Sequence, residues 1–377
     1  MSNLTDENSA GRERKAFSPA RRILKLLSAC IALVLVLFFL ALGGVMYFNS
    51  PPEPLPKPAG QGSAPGEAGL AVEEDGSLFL EVKSGESAFS VGKRLEEAGI
   101  IRSRYFWYFL SRFTRDYIKT GAYRIELPAS QLRIHSLLVS GDQILVRITV
   151  PEGVTLKKIA RILEEAGVCG ADAFLSAAAS REILDSYGIP GKTMEGYLFP
   201  ETYFFPYSFP AEKVIAAMAG TFFSRLGEIA PESLAMGGGE IFRKVIIASI
   251  VEREYRVDEE APLMAGVFYN RLDIGMALQS CATVEYVITE IQGRPHPEVL
   301  YNRDIEIRDP YNTYMYPGLP PGPISVPGRT ALEAAFNPAS AAYLYFRLTD
   351  PDVGRHYFSR TFDDHIRAGA LYVKKSS

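Results

Sequence analysis

The chain has 377 residues, 47% of them hydrophobic, and a net charge of −4, enough apolar material for a sizeable core and for two or more domains. The mildly acidic balance argues against a nucleic-acid binder. Cys30, Cys169 and Cys281 show no CxxC pairing and His135, His296, His356 and His365 are scattered, which excludes a disulfide framework or zinc site and leaves open one Cys169–Cys281 bridge.

The N-terminal tail is basic (Arg12, Arg14, Lys15, Arg21, Arg22, Lys25), and residues 26–48 then carry no charge. At about 1.5 Å per helical residue this stretch crosses a hydrocarbon core of roughly 30 Å. A cleaved signal has a shorter apolar region, and no small-x-small site follows here; Tyr47 and Phe48 suit an interfacial anchor. By the positive-inside rule the tail stays in the cytoplasm and the chain beyond residue 48 is exported. Residues 49–77 are rich in proline and glycine and read as an extended tether.

An internal repeat follows. Val82-Lys83-Ser84-Gly85-Glu86-Ser87 leads to Leu95-Glu96-Glu97-Ala98-Gly99-Ile100, and 68 residues later Val150-Pro151-Glu152-Gly153-Val154-Thr155 leads to Leu163-Glu164-Glu165-Ala166-Gly167-Val168. Each copy predicts a strand end, a glycine turn, a Ser or Thr cap, a short amphipathic helix and a glycine stop. Between the copies the patterns predict an aromatic helix (105–113), a strand (117–125), a helix (130–139) and a strand (144–150). The opening of the first copy resembles a LysM carbohydrate-binding module.

Two short helices are expected over 172–188. Residues 194–210 then hold Tyr197, Phe199, Tyr203, Phe204, Phe205, Tyr207 and Phe209 among prolines that forbid a regular helix or central strand. Such rings can stack on sugars or fill a core, and Glu195 and Glu201 could bond hydroxyls. Helices are expected over 210–226, 240–256 and 259–272, a helical start near Thr283, a helix over 330–336 and a strand over 344–348. In the second of these, Val245–Val251 are apolar or small and run into Glu252. On a helix Glu252 shares a stripe with Val245, Ala248 and Ser249. A carboxyl held there has a raised pKa and can act as a general acid, or it is simply the first solvated residue after a buried helix.

Six blocks in order resemble the endolytic murein transglycosylases, the YceG-like family: Glu195–Tyr203, Ala248–Glu254, Phe268–Leu272, Leu278–Ser280, Tyr311–Tyr314 and Gly318–Ile324. The resemblance covers roughly residues 80–370. It implies cleavage of the peptidoglycan glycan strand between N-acetylmuramic acid and N-acetylglucosamine, with Glu252 as the acid that then takes the C6 hydroxyl proton to close a 1,6-anhydro ring. No second carboxylate and no cofactor or metal is then required. The nearest rival is Glu254, about 200° round the helix from Glu252 and expected, beside Arg253 and Arg256, on a solvated face. Glu195, Tyr197, Glu201, Tyr203, Gln279, Ser280, Asn312, Thr313 and Tyr314 are the candidates for holding sugar or orienting the acid. Cys281-Ala282 stands where the family often has Asp-Pro, so no role of that aspartate transfers, and whether Glu285 compensates is open.

The expected organisation is α+β: a cytoplasmic tail (1–25), a transmembrane helix (26–48) in the bacterial inner membrane, a linker (49–77), a LysM-like module (78–149) and a catalytic domain (150–377). The expected role is terminating or releasing nascent strands beside peptidoglycan synthases (penicillin-binding proteins). Alternatives are a muramidase, or a non-catalytic wall-binding scaffold.

Overall fold

The two repeats are built alike. In the computed structural model, which describes residues 19–53, 69–83, 85–114 and 116–369, Ser87 accepts the Ser90 N–H at 3.1 Å and Thr155 accepts the Lys158 N–H at 3.4 Å. Each thereby satisfies a free donor of the helix it starts, α2 (Ala88–Glu97) and α5 (Leu156–Glu165) in the numbering used below. Gly99 and Gly167 each close their helix at φ 70°. The following Ile100 and Val168 N–H groups return to Leu95 O and Leu163 O at 2.8 and 2.9 Å, a stop that a side chain at the glycine would strain. Residues 1–18 and 54–68, which hold most of the basic tail and the middle of the tether, and Ser84 lie outside the described residues.

Two compact units divide at 142/143. The first begins with α1 (Pro19–Asn49). Its segment Ile23–Asn49 has mean hydropathy 2.9 and is the one helix among the described residues long and apolar enough to cross a membrane. The end of α1 is bonded within its own unit. Gln131 Nε2 donates to Phe48 O at 2.8 Å, the Leu132 N–H to Asn49 Oδ1 at 2.9 Å, and Arg102 Nη2 to Pro51 O at 3.0 Å. Strands β1 (Leu70–Val72), β2 (Ser77–Val82) and β3 (Gly121–Glu126) form an antiparallel sheet in that order. Helices α2, α3 (Arg104–Thr114) and α4 (Gln131–Ser140) complete the unit. Leu80, Leu95, Trp107, Tyr123 and Ile134 are buried together. The sheet corrects the tether expected through residue 77, because Leu70–Val72 pair with Leu78–Leu80.

In the second unit β4 (Leu145–Thr149) pairs antiparallel with β5 (Thr202–Pro206). The strand expected inside the first module thus belongs to the second unit, and the aromatic segment, expected to form neither a regular helix nor a central strand, supplies one strand of a two-stranded ribbon over 202–206. Its proline sits at the end of a two-stranded ribbon, where no further ladder needs its missing N–H. The chain continues through α6 (Ala171–Ala178), α7 (Arg181–Ser186), α8 (Ala211–Ile229), α9 (Gly238–Glu254), α10 (Ala261–Asp273), α11 (Cys281–Tyr286), α12 (Asn302–Ile305) and α13 (Arg329–Phe336). It ends in a ribbon, β6 (Tyr345–Asp350) with β7 (Arg355–Ser359), and α14 (Phe362–Ala368). Helix α9 is the central element. Val245 through Val251 are all buried, because this stretch of nearly two turns packs against α10, α11 and α13. The sequence reading did not foresee β7 or α14, which are short and largely polar. Cys30, Cys169 and Cys281 are free thiols, which closes the possibility of a Cys169–Cys281 bridge.

Candidate active site

The last turn of α9 emerges from the core with carboxyls on opposite faces. On one face, Glu252 Oε2 accepts the Gly328 N–H at 2.9 Å, at the start of α13. Its stem lies beside Gly153, where an added Cβ would come 3.7 Å from Glu252 Cγ. The Gly153 N–H donates to Val326 O (2.9 Å) and the Val326 N–H to Val154 O (2.8 Å). Burial pushes the Glu252 pKa up to about 8, with the Glu152 and Asp258 carboxylates adding to the rise and the Gly328 bond opposing it. Glu252 therefore ties the second repeat and the 324–328 segment to α9.

On the other face, Glu254 lines a cavity of about 730 Å³ together with Arg253, Arg271, Gln279, Cys281 and Tyr314, among others. Glu252 is not among its lining residues. Burial also raises the Glu254 pKa, and bonds from the Ser280 hydroxyl and the Ala282 N–H counter the rise in part. Glu254 is thus not on the solvated face that its charged neighbours suggested. Arg253 turns aside to Glu285 at 2.8 Å, and the helix end carries Glu254 into the cleft. A raised pKa does not separate the two glutamates, since burial lifts both; Glu254 lines the cavity and Glu252 does not.

Two loops hold Ser280 in place. Gln279 adopts φ 50°, a left-handed conformation costly for a side-chain residue, and its N–H donates to Thr313 O at 3.1 Å. The Ser280 N–H donates to Thr313 Oγ1 at 3.1 Å, and the hydroxyls of Thr283 and Thr313 meet at 2.9 Å. Asn312 is fully buried; its Nδ2 donates to Ile305 O (2.9 Å) and Ile307 O (2.8 Å), and its Oδ1 accepts the Tyr314 N–H (3.0 Å). Asn312, Thr313 and Ser280 thus build the cavity wall, while Gln279 and Tyr314 line it.

Arg271 lies in the Phe268–Leu272 block, whose pattern assigns it no role. It is buried, with Nε donating to Leu344 O at 2.6 Å and Nη1 to Leu278 O at 2.7 Å, and so joins the Gln279 loop to the β6 ribbon. The spacing of Asn270-Arg271 at the end of a helix was the only available signal, because the carbonyls it binds are fixed by tertiary contact.

Where the family pattern has Asp-Pro, this chain has Cys281-Ala282. The Cys281 thiol lies 3.2 Å from the Tyr314 hydroxyl. Ala282 supplies to Glu254 an N–H that a proline lacks.

The four candidates from the aromatic segment lie elsewhere in the second unit. Glu195 is buried and accepts the Leu156 N–H at 3.1 Å, at the start of α5; burial raises its pKa to about 8. Tyr197 is 1% exposed, packed against Phe222 with ring centroids 5.1 Å apart, and its hydroxyl has no partner among the described residues. Its ring fills the core, a placement unlike the sugar-stacking role expected for it. Glu201 pairs with Arg225 at 3.2 Å, and the Tyr203 hydroxyl donates to Phe199 O at 2.7 Å. None of the four lines the Glu254 cavity.

Residues 80–370 match the model of the YceG-like family. A curated relative from Streptococcus pneumoniae (strain ATCC BAA-255 / R6), an endolytic murein transglycosylase, is 28% identical over 338 residues, covering 81% of this chain and 60% of its own length. A Bacillus subtilis (strain 168) protein of the same name is 28% identical over 327 residues, covering 81% and 88%. The chain spans about 60% of the length of the streptococcal relatives. The crystal structure of a yceG-like protein from Listeria monocytogenes is similar with a TM-score of 0.51 and 29% identity, over 77% of this chain and 98% of that one.

Proposed function

The chain belongs to the YceG-like family, and from that premise we propose that it is a lytic transglycosylase of peptidoglycan, with Glu254 rather than Glu252 as its acid. The activity is that of the relatives from S. pneumoniae and B. subtilis named endolytic murein transglycosylases. The observation that carries the residue assignment is that Glu254 faces the open cavity, while Glu252 is engaged by the Gly328 N–H.

Burial raises the Glu254 pKa and so favours the protonated form, which can donate its proton to the glycosidic oxygen leaving C1 of the muramic sugar. The C1–O bond breaks. The carboxylate, steadied by the Ser280 hydroxyl and the Ala282 N–H, then takes the C6 hydroxyl proton as O6 bonds to C1. The product end is 1,6-anhydro-N-acetylmuramic acid and no water is consumed, so one carboxyl serves in turn as acid and base. A hydrolase would need a second carboxylate to activate water or to attack the sugar. Glu285, the other acid of the cavity, is held by Arg253.

In this reading α1 anchors the chain in the bacterial inner membrane with the basic tail in the cytoplasm, and both folded units lie on the outer side. The first unit serves as a wall-facing module of LysM-like type, and peptidoglycan synthases are its natural neighbours.

Mass spectrometry of the fragments released from purified glycan strands tests the chemistry. Internal cuts with anhydro ends are expected from the native chain. Reducing ends without anhydro ends would make it a muramidase, and no fragments at all would leave a wall-binding scaffold.

A further inference from the structure

The Glu254 cavity is more basic than a site for neutral sugar needs to be. Arg253, Arg256, Arg271, Arg347, His356 and His365 line it against two acids, Glu254 and Glu285. Three of these six groups are already occupied. Arg253 is paired with Glu285, Arg271 is bonded to main-chain carbonyls, and His356 Nδ1 meets Glu260 at 2.8 Å. Burial shifts Glu254 towards its protonated form, which weakens its charge against them. Arg256 and Arg347 remain with no hydrogen bond or ion pair among the described residues.

Arg347 also has a defined place. It projects from β6 onto the end of α14, where a Cβ on Gly369 would come 2.7 Å from its Nη1. His365, one turn earlier on α14, stacks obliquely against Tyr345 at 5.4 Å, and its buried Nδ1 has no partner among the described residues. Burial lowers the His365 pKa and the guanidinium charges of Arg347 and Arg271 lower it further, which is the mark of positive potential at this wall. Two unpaired guanidinium groups and a histidine with an unpartnered ring nitrogen line the same cavity as the acid. That arrangement suits a carboxylate, which a guanidinium binds in a two-pronged, charge-assisted fashion.

A peptidoglycan strand has neutral sugar hydroxyls, and its carboxylates belong to the peptides carried on the muramic lactyl groups. We propose that the wall formed by Arg347, Arg256 and His365 binds a stem-peptide carboxylate, so that the cleft selects strands that still carry their peptides. The inference rests on the transglycosylase reading above. Arg347 and Arg256 act in it as specificity residues that hold substrate, distinct from the proton-transferring Glu254.

The test uses the full chain in detergent micelles with two substrates: uncrosslinked glycan strands bearing peptides, and the same strands stripped by an amidase. The native chain should show a kcat/KM about 10-fold or more higher on peptide-bearing strands. Arg347→Gln should collapse that ratio toward one, mainly by raising KM, since the lost contact is equally strong before and during reaction. Arg347→Lys, which keeps the charge, should restore part of it, whereas a purely structural role would not track charge.

Equal native rates on both substrates, or an Arg347→Gln loss of the same size on both, would overturn the proposal. Co-sedimentation of Glu254→Gln with each strand type separates the two readings. If the native chain cuts nothing but binding to peptide-bearing strands still depends on Arg347, the lytic reading fails and this one stands; if binding is indifferent to Arg347, this one fails.

Discussion

The two faces of the last turn of α9 carry the same side chain in different circumstances. Glu252 is enclosed by two glycine-containing segments, at 153 and 328, and is bonded to a helix start. Glu254, two residues on, faces a cavity with a hydroxyl bonded to it. Burial raises both pKa values. The difference teaches that a perturbed carboxyl identifies a buried carboxyl and not by itself a catalytic one. Room for substrate separates the two, since each carboxyl has a donor that favours its ionised form.

The sharpest way to break this comparison is a pair of isosteric substitutions. Glu254→Gln removes the transferable proton and should lower strand cleavage by about 10²–10⁴-fold. Glu252→Gln keeps an oxygen for the Gly328 N–H and should cost less than about 10-fold. If the larger loss falls on Glu252→Gln, the assignment reverses.

Ser280→Ala removes a bond that favours the ionised form of Glu254, and should lower the rate by about 10-fold. The sign of its pH effect follows. Glu254 must be protonated to act, so activity falls as pH rises through its raised pKa. Losing the Ser280 bond raises that pKa again and moves the fall to higher pH. A pH–rate profile that shifts to lower pH, or does not shift, would count against Glu254 as the acid.

A smaller effect distinguishes the Glu252 face through stability. Its folded pKa of about 8 exceeds the ordinary 4.5, so the native state binds this proton more tightly than the unfolded chain. Stability from this group is complete below about pH 4.5 and declines as pH rises towards 8. Glu252→Gln should flatten the dependence of Tm on pH across that window, by an amount on the order of 1–2 kcal/mol after allowance for partial exposure. Glu195, with a pKa of about 8, contributes a similar slope that the variant leaves in place. Unchanged slopes by calorimetry would place Glu252 in a better solvated setting than its contacts indicate.

The smallest effect belongs to Tyr197→Phe. It deletes a buried hydroxyl that has no partner among the described residues. Activity should stay within about twofold and stability should hold or rise by up to about 1 kcal/mol. A large rise in KM would restore Tyr197 to the substrate.

Much of the fold was legible because its signals are local. The Ser87 and Thr155 caps, the glycine stops at 99 and 167, and the apolar stripe of Val245–Val251 are set by residues within a few positions of one another. The candidate site was legible only in part. Gln279, Ser280 and Tyr314 stood out as a set, and they do assemble around one carboxyl. Which carboxyl depended on where the 324–328 segment crosses α9 and where β6 and α14 close the cavity. None of those contacts lies within 20 residues of Glu254 in the chain.

The aromatic stretch shows the same limit. Tyr197 in the core and Phe204, 60% exposed on a ribbon, have similar local sequence and opposite surroundings. The sequence by itself determined the apolar helix, the repeated strand–turn–helix, the central helix and the pair of glutamates at its end, because period, caps and charge act over one or two turns. Only the tertiary structure decided that Glu252 closes against Gly328 while Glu254 opens to a basic cavity, because that choice depends on which distant segments pack on each face of the helix.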